Sequence, residues 1–124
     1  MSAITVVRSD QRAVAEADAT SGMIRVEAFS SDGAWAGLVR TAPARASGWH
    51  HHGDYDTYIY VVSGSLLMES GPSGTEVVEA GPGDFVHVPK HIVHRESNPS
   101  STEGVLIGVR VGHGPPVLNV EGPG

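Results

Sequence analysis

A chain of 124 residues, 40% hydrophobic and 18% charged, has room for one hydrophobic core and no second sizeable one. Its formal net charge of −6, with no cluster of lysine or arginine, excludes nucleic-acid binding, which needs a basic footprint. Cysteine is absent, which rules out both a disulfide framework and a thiolate metal site.

In chain order, the N-terminus (Met1-Ser2-Ala3-Ile4-Thr5-Val6-Val7-Arg8) lacks the charged-then-apolar layout of a signal peptide. No apolar run reaches the ~18 residues that span a bilayer. The expectation is a cytoplasmic protein with no membrane partner. Residues 10–18 (DQRAVAEAD) have an N-cap candidate in Ser9 or Asp10 and an Ala/Glu/Arg content that predicts one or two helical turns. Strand-like runs follow at 24–29, 35–41, 50–52, 57–62, 65–70, 75–79, 84–88, 93–97 and 105–111. Turn signals separate them, among them Ser31-Asp32-Gly33, Ser63-Gly64, Gly71-Pro72-Ser73-Gly74, Gly81-Pro82-Gly83 and Asn98-Pro99. About nine short strands at this spacing, in a chain with 16 glycines and eight prolines, predict an all-β sandwich or barrel. The tail, residues 112–124, is too rich in proline and glycine to extend a strand far. It reads as a loose terminus or, preferably, an arm crossing another subunit, because Val117, Leu118 and Val120 would otherwise be exposed.

The chemistry concentrates in His50-His51-His52 and in Pro89-Lys90-His91-Ile92-Val93-His94. On a strand, residues i and i+2 share a face, ~7 Å apart. His50 and His52 therefore project together and His51 points away. His94, after the turn that follows run 84–88, is the natural third imidazole. By the same parity Glu96 shares the face of His94, while Ile59 and Val61 accompany Thr57 inward and Tyr58 and Tyr60 face out. Parity leaves His87 open, since either Phe85/His87 or Val86/Val88 can form the inward set. An inward His87 would add a fourth histidine.

These segments resemble the two motifs of the cupin superfamily, in a small single-domain form of the cupin 2 conserved-barrel type. The first motif, HxH, four residues, Glu, six residues, Gly, reads here His50-x-His52, four residues, Thr57, six residues, Gly64. The second, PxG, two residues, His, three residues, Asn, reads Pro89-x-His91, two residues, His94, three residues, Asn98, and follows a Gly81-x-Gly83-Asp84 turn. The match covers roughly residues 35–111. Thr57 stands where the family has a glutamate ligand, and His91 stands in place of a turn glycine. The glycine six positions before the first histidine is also missing, Gly48 being only two before.

The resemblance implies a double-stranded β-helix (jelly-roll) barrel, one cupin domain over residues 1–124. It also implies one divalent metal ion held by His50, His52 and His94. Thr57, a weak neutral donor, is expected to orient water or substrate rather than bind the metal. Glu96 is expected behind the ligands as an acid/base residue. Three neutral imidazoles would leave the ion at +2, which favours an anionic, chelating small-molecule substrate. The leading expectation is an Fe(II)-type dioxygenase for an enolisable or phenolic substrate, with Zn, Ni, Mn or Cu as alternative metals. A non-redox isomerase, lyase or polyketide cyclase is the second, and a non-catalytic small-molecule-binding cupin the third. A homodimer is expected, with residues 4–7 and the tail at the interface.

Overall fold

The computed structural model describes residues 4–14 and 23–123. Ser9–Gln11 forms a single 3-10 turn, and Arg12 is already extended. Strand β1 (Ala13–Val14) then pairs with β2 (Met23–Ser31). The helix expected over residues 10–18 thus shrinks to one turn in its described part, and residues 15–18 lie outside the described residues. Local helix propensity yields here to a strand edge, where the backbone of Ala13 and Val14 finds partners on β2.

The remaining strands are β3 (Ala34–Thr41), β4 (His50–His51), β5 (Asp56–Ser63), β6 (Leu66–Ser70), β7 (Glu76–Ala80), β8 (Phe85–Val88), β9 (His94–Ser97), β10 (Gly104–Val111) and β11 (Leu118–Asn119). They form a six-stranded sheet in the order β1-β2-β3-β10-β5-β8 and a five-stranded sheet in the order β11-β4-β9-β6-β7. Every pairing is antiparallel. Among the described residues no helix is long and apolar enough to cross a membrane.

Strict alternation aims one face of each long strand at the space between the sheets. On β3, Trp35, Val39 and Thr41 are buried. On β5 the buried set is Thr57, Ile59 and Val61, and on β10 it includes Leu106 and Arg110. Val39, Ile59, Val61, Leu66, Met68, Ala80, Val88 and Leu106 make one continuous apolar core. Gly64, the glycine closing the first motif, has φ +76°, and a Cβ there would stand 2.7 Å from Gly104 Cα. Only glycine lets the β5–β6 turn pass so close to the start of β10. Beyond one end of this core the buried side chains turn polar, with Thr57 on β5 opposite Arg110 on β10.

Candidate metal centre

Cross-strand register assembles this polar end. The short strand β4 pairs with β9 so that His50 lies directly opposite His94, and Glu96 follows His94 on the same inward face. His52, just past β4, turns its ring to the same point. The ring centroids are 4.3 Å apart for His50 and His94, and 5.1 Å apart for the other two pairs. One potential ligand atom from each of His50, His52, His94 and Glu96 lies within 4.8 Å of all the others, and all four residues are buried.

Each imidazole is tethered by the nitrogen that faces away from this point. Nδ1 of His50 meets the Gly48 carbonyl at 2.9 Å, that of His52 the Pro116 carbonyl at 2.8 Å, and that of His94 the Ile92 carbonyl at 2.9 Å. A carbonyl only accepts, so Nδ1 carries the proton in all three rings and Nε2 is left to face the centre. Nε2 of His50 has no hydrogen-bond partner, and Nε2 of His94 lies 3.2 Å from Glu96 Oε1. Buried polar atoms are normally satisfied, so an orphaned imidazole nitrogen beside two others and a carboxylate fits a cation-binding group. Four N/O donors of this kind suit a divalent transition metal.

The electrostatics agree. Burial drives His50 from its ordinary 6.5 down to about 4, with the charge of His94 adding to the shift against the opposing pull of Glu96. His52 falls to about 3, again by burial first and the charge of His94 second. Both rings therefore stay neutral and available as donors through the physiological range. Burial alone would raise Glu96, but the His94 hydrogen bond, with the charges of His94, His50 and Arg25, outweighs it and holds the carboxyl at about 2.

A carboxylate joins the three expected imidazoles in this group. Thr57 is inward and buried as parity requires, yet it is not part of the four-residue group. The carboxylate enters instead from β9, where Glu96 stands among the imidazoles rather than behind them. A divalent ion held by the full set would carry a net +1, not +2.

His87 is not a fourth histidine of this site. The inward set of β8 is Val86 and Val88, and His87 projects outward, stacked on Tyr58 and 3.0 Å from Asp56 Oδ1. His91 adopts φ +63°, the left-handed turn geometry usual for glycine, and its ring meets Asp54 at 2.9 Å on the surface. His51 half-emerges, as expected of the middle residue of an HxH strand.

The tail, open from sequence between a loose terminus and an arm, packs within this chain: β11 pairs with β4, Val120 donates its N–H to Trp49 O, and the Pro116 carbonyl meets His52. Gly53 (φ +55°) makes this seat possible, because a Cβ there would crowd Leu118 at 3.1 Å and the Pro115 carbonyl at 3.2 Å. No periodic signal in residues 112–124 marks a two-residue strand. The buried Arg110 was also missed, although it shares the inward parity of Leu106; its guanidinium lies 4.3 Å above the Trp35 ring.

Two cavities flank the group. One, of about 300 Å³, opens between the edge strands β7 and β8; its walls include Met68, Val78, Phe85, Val86 and Ile92, and it reaches His94. The other, about 20 Å³, lies inside the barrel against Thr57, His52 and Glu96, with Arg25 and Arg110 on its wall.

A family model for the cupin domain matches residues 37–110 of the chain. The protein is a cupin. The solved structures similar to this cupin agree on the fold. A double-stranded β-helix protein from Klebsiella pneumoniae shares 17% identity, with 98% of this chain and 99% of that one covered at a TM-score of 0.73. The polyketide cyclase RemF from Streptomyces resistomycificus shares 19%, with 94% and 85% covered and a TM-score of 0.75. An oxalate decarboxylase from Bacillus subtilis shares 19% at a TM-score of 0.70; the match takes in 83% of this cupin but only 29% of that chain. No protein of curated function matches the sequence.

Proposed function

We propose that this cupin is a mononuclear metal-dependent enzyme acting on a small anionic or enolisable, phenolic substrate, as an Fe(II)-type dioxygenase. The observation that carries the reading is the buried His50/His52/His94/Glu96 group with all three Nδ1 atoms tied to backbone carbonyls. A divalent ion held there would supply Lewis acidity to a bound oxygen donor and a route for redox chemistry. The protein's own part is to hold the three imidazoles in place and to offset one positive charge with Glu96. The apolar cavity leading to His94 would take the carbon body of the substrate, leaving its anionic oxygens to the polar end.

Metal analysis of protein purified without added metal tests the reading, together with oxygen uptake on a panel of β-diketones and catechols. Iron near one equivalent and oxygen consumption with a panel member are expected. Zinc, nickel or manganese with no oxygen uptake would move the assignment to a non-redox isomerase, lyase or cyclase. That second reading is favoured by one observation, the ionised Glu96 beside the imidazoles, and by similarity to a polyketide cyclase and to a decarboxylase described as having Mn(II) centres. Protein that takes up no metal would make it a non-catalytic binding cupin.

Self-association belongs to the same proposal. Ile4 and Val6, 83% and 62% exposed, and Phe85 at 80% are large apolar side chains left in water. A homodimer covering them is expected, and light scattering that reports a monomer at micromolar concentration contradicts it.

A further inference from the structure

The side chain at position 57 points inward and is only 6% exposed, yet its hydroxyl has no hydrogen-bond partner. A buried hydroxyl left unmatched costs ~1–3 kcal/mol, so something ordinarily satisfies it. The small cavity beside it supplies the space. Its volume of about 20 Å³ exceeds the ~10–15 Å³ that one water needs. It leaves no room for a carbon skeleton. Its wall combines Thr57, His52, Glu96, Arg25 and Arg110, a mixture of donors and acceptors adequate for the two to four hydrogen bonds of a buried water. The same space is where a longer side chain at position 57, such as the glutamate of the family motif, would extend. The large apolar cavity reaches the group from elsewhere, through His94, and Thr57 is not among its walls.

We infer that the Thr57 cavity is a dedicated site for a single water-sized ligand, water or hydroxide, and that Thr57 with this molecule occupies the room of the absent glutamate side chain. Occupancy of the cavity stands on its own geometry; the ligand's role at a metal rests on the function proposed above. With a metal bound, the site is two-sided. Organic substrate arrives through the apolar cavity, and the water on the Thr57 side is retained beside Glu96. Thr57 is then a positioning residue that holds the water rather than the metal.

High-resolution crystal structures of the wild type, Thr57→Val and Thr57→Ser, each metal-free and Mn(II)-loaded, test this directly. One ordered water within hydrogen-bonding reach of Thr57 Oγ1 is expected in the wild type in both states, absent in the near-isosteric Thr57→Val and restored in Thr57→Ser. An empty cavity in the wild type overturns the inference, as does a water equally well ordered in Thr57→Val. A second readout uses electron–nuclear double resonance on Mn(II)-loaded protein in ¹⁷O-water with catechol as chelating probe. The wild type should keep an exchangeable-oxygen signal at saturating catechol and Thr57→Val should lose it, with metal content near that of the wild type. Retention of the signal in Thr57→Val overturns the positioning role. Failure of the wild type to take any metal defeats the proposed function, while the metal-free electron density at Thr57 still decides whether the cavity is a water site.

Discussion

The protein contains two sets of histidines facing carboxylates, and they have little in common beyond residue type. Inside the barrel, His94 meets Glu96 at 3.2 Å, with both side chains almost wholly buried. Outside, His87 meets Asp56 at 3.0 Å and His91 meets Asp54 at 2.9 Å, with the ring of each histidine about half or more exposed. The separations are alike; the surroundings decide the consequences. The outer pairs are solvated, and water supplies whatever hydrogen bonds they lack. The inner rings are tethered by carbonyls and buried, and their remaining nitrogens converge with a carboxylate. A short histidine–carboxylate distance alone does not single out a candidate metal site; burial and the backbone tethers behind the rings do.

The largest effect expected from this contrast is on metal content. His50→Ala, His52→Ala and His94→Ala should each lose most bound metal, whereas His51→Ala, His87→Ala and His91→Ala should retain it. Elemental analysis of the six variants checks this, and an outer variant that empties the protein would break the distinction. Glu96→Gln comes next. It preserves shape while removing the charge, and should weaken metal affinity by about 10–100-fold with the fold intact by circular dichroism. Affinity equal to the wild type would restore the neutral three-histidine site inferred from sequence.

Removing residues 115–124 deletes the Pro116 carbonyl that orients His52 and the strand that pairs with β4. A roughly 10-fold loss of metal affinity is expected, as for other outer partners of ligating histidines. Isothermal titration of the truncated protein with Zn(II) measures it, and unchanged affinity would mean that the tail has no part in setting the ring.

Acid should act on the inner set first. His50 and His52 have folded values of about 4 and about 3, below the ordinary 6.5. Between those limits the unfolded chain binds more protons than the folded one, so stability falls as pH drops below about 6.5. Glu96, at about 2 against an ordinary 4.5, extends the loss below pH 4.5. The urea midpoint of metal-free protein should be highest near neutrality and decline steadily to pH 4; a flat profile would place these rings in water. The smallest effect belongs to the outer pairs. Asp56→Asn should change stability by less than about 1 kcal/mol, since exposed ion pairs contribute little, and urea denaturation at pH 7 is the measurement.

Much of this was legible in the chain because strand periodicity is a local code. Alternation placed His50, His52, Thr57, Ile59 and Val61 inward and Tyr58 and Tyr60 outward without reference to any neighbour. The two spaced motifs then named the family and its barrel. Parity also put Glu96 on the face of His94, but parity is blind to distance across a sheet. The register that sets His50 opposite His94 brings the carboxylate in among the rings, and register belongs to pairs of strands.

The remainder depended on contacts between segments remote in sequence. His87 could be settled only by which face of β8 met the core, and Val86 and Val88 won that face. The tail carries no periodic pattern, and its place against β4 follows from hydrogen bonds that form only once Trp49, His50 and His51 present an open strand edge. The sequence alone determined the barrel, its family and the three imidazoles, because side-chain alternation and motif spacing are properties of the local backbone. Only the tertiary structure decided that Glu96 joins the three imidazoles, that the Pro116 carbonyl meets His52 and that a cavity stands beside Thr57. Each of these depends on distances between strands, and no single segment encodes them.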